Sequence, residues 1–372
     1  MNVPKLRFKE FNDEWNYNSL SNYVERIITK NKNNESNLVL TISAQYGLVD
    51  QVKFFNRKVS SSNISGYYLL NNGDFAYNKS YSNGYPWGAI KRLNNYNQGV
   101  VSSLYICFRP KNNIDSDYLE QYFETNKWYR QVSEISVEGA RNHGLLNIAV
   151  NDFFETKHYI PSIMEQAKIG QTLQLLDKKI ELQTKKIETL KLFKSYTKSE
   201  IFKNGNHVCK LGAILNKWNK KNKDGAINYV ESISNKAGFI PQSEQFEDRN
   251  VASKNLRNYY VIKKGVFGYN PSRLNVGSLA LKENDFISVV SPLYECFTTT
   301  QNNTYLFEWF NSNNFKKETF SKFEGGVRNT LNFNNLCDIP INLPDIETQN
   351  QYAKYFNKIN FKISLEEQKL SE

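Results

Sequence analysis

Two loops carry the residues of this chain best suited to chemistry. Tyr77, Asn78, Lys79, Tyr81 and Asn83 stand in the first, with Lys91 and Arg92 just beyond it. Tyr269, Asn270, Ser272, Arg273 and Asn275 stand in the second. Arg and Asn pair bidentately with guanine and adenine edges, while Lys, Ser and Tyr suit phosphates. The plainer reading is that loops are polar anyway and that Asn is abundant in this chain. Two glycine-containing turns, EGARN and EGGVRN, add Arg141, Asn142 and His143 in one place and Arg328 and Asn329 in another. Glycine lets a backbone approach a phosphate closely. The rival role for both arginines is to cap a nearby helix or to pair with Glu138 or Glu324.

Catalytic patterns are missing from the sequence. No Gly-rich loop after a strand marks a nucleotide or S-adenosylmethionine site. There is no Walker A lysine, no Asn/Asp-Pro-Pro-aromatic tetrad and no acidic pair followed by Glu-x-Lys. The histidines, His143, His158 and His207, are isolated, and Thr330 follows the second Arg-Asn pair where His143 follows the first. Cys107, Cys209, Cys296 and Cys337 have neither zinc nor redox spacing and read as reduced thiols of a cytoplasmic protein. The net charge of +11 and pI near 9.2 point to an acidic partner, nucleic acid first. The N-terminus lacks an apolar signal core, and no apolar run is long enough for a membrane span.

The elements that must position these loops repeat. Ile169, Leu173, Leu176, Ile180, Gln183, Ile187 and Leu190 follow at steps of 4 and 3, a heptad seam on one long helix introduced by Pro161. About 40 residues at ~1.5 Å each make a rod of roughly 60 Å. Tyr352, Phe356, Ile359, Ile363, Glu366 and Leu370 repeat the seam 183 residues on, and Pro344 and Gln349 fall on Pro161 and Gln166. YYVIKKGVFGYN falls on YYLLNNGDFAYN, and VVSPLYECF on VVSSLYICF. Each nine-residue VVS run reads as one strand. Asp115 to Val132 and Thr304 to Phe320 each read as one helix. Val3, Leu6, Phe8, Phe11 and Trp15 mark the opening segment as one that docks on something. The chain is therefore two copies of domain plus long helix. The expected fold is α+β: two pseudo-repeated mixed α/β domains separated by an antiparallel two-helix coiled coil. The expected boundaries are 1–160 and 204–343 for the domains, 161–203 and 344–372 for the helices.

The pattern resembles the specificity subunits of Type I restriction–modification enzymes. The residues that carry it are the opening PKLRFKEF…EW, then EGARN…IPSIMEQAKIGQTLQLLDKKI…KIETLK, and EGGVRN…INLPDIETQ. The resemblance covers essentially the whole chain. It implies two target-recognition domains, each reading one half of a split, asymmetric site in double-stranded DNA. It implies that two methyltransferase (M) subunits bind the helices and that restriction/motor (R) subunits join them. S-adenosylmethionine, ATP and Mg would belong to those partners, and this chain would catalyse nothing. Two departures stand out: Glu347-Thr348-Gln349 where the family pattern has Glu-Gln, and a second helix that stops at Glu372. The alternative from another class is a two-armed structural protein that binds other proteins.

Overall fold

Short apolar runs ending in Gly, Asn and Asp give short strands, and all named strand pairs are antiparallel. The computed structural model describes residues 4–371 apart from 58, 59, 61, 62, 137–145, 204, 206, 236, 246–254 and 321–329. The chain divides into two compact units, 1–180 and 181–372.

In the first unit the strands are β1 (Asn16–Ser19), β2 (Val24–Arg26), β3 (Leu40–Ser43), β4 (Gly47–Asp50), β5 (Tyr68–Asn71), β6 (Phe75–Asn78), β7 (Ala89–Arg92), β8 (Gln98–Val101), β9 (Ile106–Pro110) and β10 (Lys157–Ile160). The helices are α1 (Gln51–Phe55), α2 (Ser116–Phe123), α3 (Tyr129–Ile135) and α4 (Val150–Glu155). The main sheet has the order β2-β9-β6-β7, and β1–β10, β3–β4 and β5–β8 form two-stranded ribbons. One continuous helix, α5 (Ile163–Ile201), then runs across the division between the units.

The second unit repeats this element for element. Its strands are β11 (His207–Lys210), β12 (Leu215–Lys217), β13 (Glu231–Ser234), β14 (Gly238–Pro241), β15 (Tyr260–Ile262), β16 (Phe267–Tyr269), β17 (Leu279–Leu281), β18 (Ser288–Val290), β19 (Glu295–Thr299) and β20 (Pro340–Leu343). Its helices are α6 (Gln242–Gln245), α7 (Asn303–Phe310), α8 (Asn313–Phe320), α9 (Phe333–Cys337) and α10 (Ile346–Ser371). The main sheet is β12-β19-β16-β17, and the ribbons are β11–β20, β13–β14 and β15–β18. Every strand pairs with the counterpart of its partner in the first unit. The fold is thus α+β and internally duplicated.

Aromatic stacking builds both cores. Phe75 and Phe108 stack at 5.3 Å in the first, and Phe267 and Phe297 at 5.0 Å in the second. The pairs are cross-strand neighbours on β6–β9 and β16–β19, which is where aromatic side chains reach each other best.

Three expected elements come out differently. Each VVS run is two strands with a turn between them: Tyr105 N–H donates to Ser102 C=O, and Tyr294 N–H to Ser291 C=O. The 115–132 helix breaks after Phe123, where the Trp128 indole N–H takes the Phe123 carbonyl at 3.0 Å. The 304–320 helix breaks after Phe310, where the Ser312 hydroxyl takes the Trp309 carbonyl. In both cases a side chain satisfies a carbonyl that a continuing helix would have bonded itself.

The opening segment docks within the first unit only in part through its apolar residues: Phe8, Phe11 and Trp15 are half-buried, Leu6 is exposed, and Val3 lies outside the described residues. Arg7 forms a fork with both carboxylate oxygens of the buried Glu165, each at 2.7 Å, and Lys168 pairs with Glu10. In the second copy Thr348 replaces Glu165 and instead donates its hydroxyl to Asp345, closing the first turn of α10.

Candidate nucleic-acid interface

The connection after β6 and its counterpart after β16 emerge from equivalent places. Leu146 N–H donates to Lys79 C=O in the first copy, and Leu331 N–H to Pro271 C=O in the second. The candidate residues separate here into core and surface. Tyr77 and Tyr269 are fully buried. Tyr77 donates its hydroxyl to Trp87 C=O at 2.7 Å, and burial pushes both phenols well above their usual range. Strand alternation turned these rings inward, so they support the loops and present nothing to a ligand.

Lys91 and Arg92 are also committed internally. Lys91 is 9% exposed and pairs with Glu124 at 2.5 Å. Arg92 pairs with Asp117 and Glu120 of α2, each at 2.6 Å. Lys79 is half-buried, donates to Ile148 C=O, and burial pulls its pKa down. Asn78 and Asn270 act as turn formers, accepting from Ser80 N–H and Ser272 N–H. The exposed members are Tyr81 and Asn83 in the first loop and Ser272, Arg273 and Asn275 in the second. Arg141, Asn142, His143, Arg328 and Asn329 lie outside the described residues.

The helix seam is buried in part. The second half of α5 and α10, both in the second unit, run antiparallel. Gln183 donates to the Glu366 backbone carbonyl at 2.7 Å and to its carboxylate at 2.8 Å. Phe202, just past the end of α5, packs on Phe356 near the start of α10. The polar residues that interrupt each seam therefore meet each other. Lys186 also pairs with Glu366, and these hydrogen bonds hold its carboxyl down at about 2. Ile187, Phe356, Ile359 and Ile363 are buried, and Tyr352 and Leu190 are half-buried. Ile169 is half-buried against the first domain's core. Leu173, Leu176, Ile180 and Leu370 are exposed, so that stretch of the stripe is not a closed seam.

Pro161 precedes α5 and does not sit in its first turn; its carbonyl serves as an acceptor. The buried Gln166 donates to Pro161 C=O at 2.9 Å and accepts from Asp115 N–H at 2.7 Å. Gln349 repeats this with Pro344 C=O and Asn302 N–H. Asp115 and Asn302 are the N-caps of α2 and α7. Each Pro-x-x-x-x-Gln motif therefore locks a long helix to the start of a domain helix. Gly170 makes the same junction close, because a Cβ there would lie 2.7 Å from Tyr118 N. Ala353 takes that place in the second copy and is buried.

Two residues escaped the reading of the sequence. Asn31 and Asn222 are 0% and 1% exposed, and each clamps a lysine-rich turn. The available signal was Lys-Asn-Lys at 30–32 and again at 221–223. His158 is buried between Tyr122 and Thr156, which occupy both ring nitrogens at 2.8 Å. Burial lowers its pKa to about 4. Among the described residues no cluster of His, Cys, Asp and Glu could hold a metal, and no helix is long and apolar enough to cross a membrane.

No family model and no curated protein matches this chain. Solved structures do. The chain is similar to the Type I restriction–modification S subunit from M. genitalium, at 13% identity and a TM-score of 0.57, over 98% of this chain and 94% of that one. It is similar to a chain from a study of complex assembly and conformational transition of the type I R-M system, at 13% identity and a TM-score of 0.51, over 97% and 94%. The HsdS subunit from Thermoanaerobacter tengcongensis aligns at 14% identity and a TM-score of 0.47, over 96% and 92%. The first of these places the fold: this chain has the architecture of the Type I restriction–modification S subunit.

Proposed function

We propose that this chain is the non-catalytic DNA-specificity subunit of a Type I restriction–modification complex. The observation that carries the proposal is the element-for-element duplication, in which each copy ends in its own long helix and offers an equivalent exposed loop. Two copies of one recognition domain with different loop residues suit a split, asymmetric site, one half for each domain. Tyr81 and Asn83 would serve one half, and Ser272, Arg273 and Asn275 the other. The exposed stripe Leu173, Leu176 and Ile180 is a helix surface that an M subunit could cover. S-adenosylmethionine, ATP and Mg belong, in this reading, to the M and R partners. The M subunits would methylate adenine, and the chain's own share would be to choose the site.

The test is reconstitution with M subunits and sequencing of methylated DNA. Methylation confined to one bipartite motif supports the reading. Stable assembly with other proteins, without sequence-dependent DNA binding, would instead support the two-armed interaction protein.

A further inference from the structure

The same clamped turn stands in both copies, and none of the candidates discussed so far includes it. In the first copy Asn31 N–H donates to Tyr67 C=O at 3.0 Å, and Asn31 C=O accepts from Asn34 N–H at 3.1 Å. Its side chain donates to Ser36 C=O at 2.9 Å and accepts from Ser36 N–H at 3.1 Å. In the second copy Asn222 makes the same four bonds, to Tyr259, Gly225 and twice to Ile227. The turn reverses through a left-handed residue, Asn34 at φ 52° in one copy and Gly225 at φ 71° in the other. Such positions favour Asn and Gly.

This clamp fixes where its flanking lysines stand. Lys30 lies over the Tyr68 ring at 3.3 Å, and Lys32 is exposed. In the second copy Lys220, Lys221 and Lys223 are all exposed, and Arg257 packs beside Gly225. Among the described residues none of Lys32, Lys220, Lys221, Lys223 and Arg257 has an ion-pair partner. The lysines of the first loop are otherwise: Lys91 and Lys79 are both engaged internally. Each turn also carries one acidic residue of its own. Asp224 accepts from Ala226 N–H within the turn, and Glu35 is exposed beside the first.

A buried asparagine held by backbone groups on both sides fixes the path of a surface turn, because losing any of those bonds would leave a buried polar group unpaired. What the turns present is exposed ammonium groups without ion-pair partners among the described residues, Lys32 in the first copy and Lys220, Lys221 and Lys223 in the second, which suit phosphates as point charges. We propose that the two Lys-Asn-Lys turns are the phosphate grips of the two copies, each holding the duplex backbone while another loop of the same copy reads the bases. This rests on the DNA reading above. It adds that positioning and base reading are carried by different loops, and that the second copy has the stronger grip.

The experiment uses the full chain and a labelled duplex of arbitrary sequence, titrated by fluorescence anisotropy across a salt series. Each phosphate contact contributes about 0.9 to the slope of log affinity against log salt. Lys221→Gln/Lys223→Gln should lower the slope by about two units, and Lys32→Gln by about one. Lys221→Arg/Lys223→Arg should keep it, and Lys127→Gln, on an exposed lysine elsewhere, should leave it unchanged. If the wild type binds and the glutamine variants keep its slope, the grips are refuted while the DNA reading stands. If the wild type binds no duplex at the lowest salt, the DNA reading fails and the grips fail with it.

Discussion

Set side by side, the two copies solve the same packing problems with different chemistry. On β3, after β7 and on β8, the first copy places Leu40, Leu93 and Gly99, and Gly99 leaves room that Leu40 fills. The matching positions in the second copy are Glu231, Lys282 and Ser288, at 5%, 1% and 0% exposure. Lys282 donates to Glu231 at 2.5 Å, and the Ser288 hydroxyl donates to the same carboxylate oxygen. An apolar trio has become a buried ion pair without any change of topology. The helix junction shows a second exchange. In the first unit Gln121 donates to Asp177 at 2.7 Å. At the same two positions the second unit has Asn360 donating to Glu308. The carboxylate has moved from the long helix to the domain helix, and there it also receives Lys194 and Lys198 at 2.7 Å. Burial pushes the Glu308 carboxyl up, but the two lysines outweigh that and hold it below the usual range. Backbone topology tolerates these exchanges because each charge that is buried meets a partner of opposite sign.

The largest effect should come from breaking the buried pair. Glu231→Gln strands the Lys282 ammonium, which costs roughly 3–5 kcal/mol. Hydrogen exchange of β15 and β18 should speed up accordingly, while β5 and β8 stay as they were. Glu231→Leu/Lys282→Leu/Ser288→Gly, which copies the first domain's solution, should be neutral or stabilising by roughly 1–4 kcal/mol. A triple variant as unstable as Glu231→Gln would show that the copies are not interchangeable there.

The next contrast is with pH. His158 is buried and neutral, with its pKa lowered from 6.5 to about 4, and Ile341 stands in its place in the second copy. The unfolded chain binds the proton first as pH falls. The histidine's contribution is therefore complete above about 6.5 and is lost progressively toward 4, a swing of about 3 kcal/mol. Hydrogen exchange of β10 should accelerate over that window, and His158→Leu should remove this dependence. An unchanged pH profile in the variant would contradict the assignment.

Glu308→Gln should cost about 1.5–3 kcal/mol, the scale of hydrogen bonds to charged groups. Asp177→Asn, at an exposed pair, should cost less than about 1 kcal/mol. Exchange rates in α7 and α2 report the two effects, and equal effects would mean that the added lysines do not matter.

The smallest contrast is at the paired tyrosines. Tyr77→Phe removes the bond to Trp87 C=O and should cost about 1 kcal/mol. The Tyr269 hydroxyl is buried with no partner among the described residues, so Tyr269→Phe should be neutral or stabilising. Thermal unfolding of the two variants distinguishes them.

The duplication was legible because identical residues recur at fixed spacing, and the Gln183–Glu366 contact shows how literally. What escaped the sequence was set by tertiary partners. Ser102 and Ser291 are the modest signs of a turn inside runs that are otherwise continuously strand-like. Trp128 continued a helical period across a break that its own indole stabilises. Lys91 and Arg92 look like free cations until α2 brings Glu124, Asp117 and Glu120 against them. Asn31 and Asn222 look like any other Asn in an Asn-rich chain until their burial is seen.

The most direct measurement of the central claim is DNA specificity when one loop is exchanged and the other kept. Replacing residues 270–278 with the corresponding loop of a subunit of different specificity, in the chain reconstituted with M subunits, should change one half of the methylated motif and leave the other intact. A motif that changes in both halves, or in neither, would contradict the assignment of one half-site to each domain.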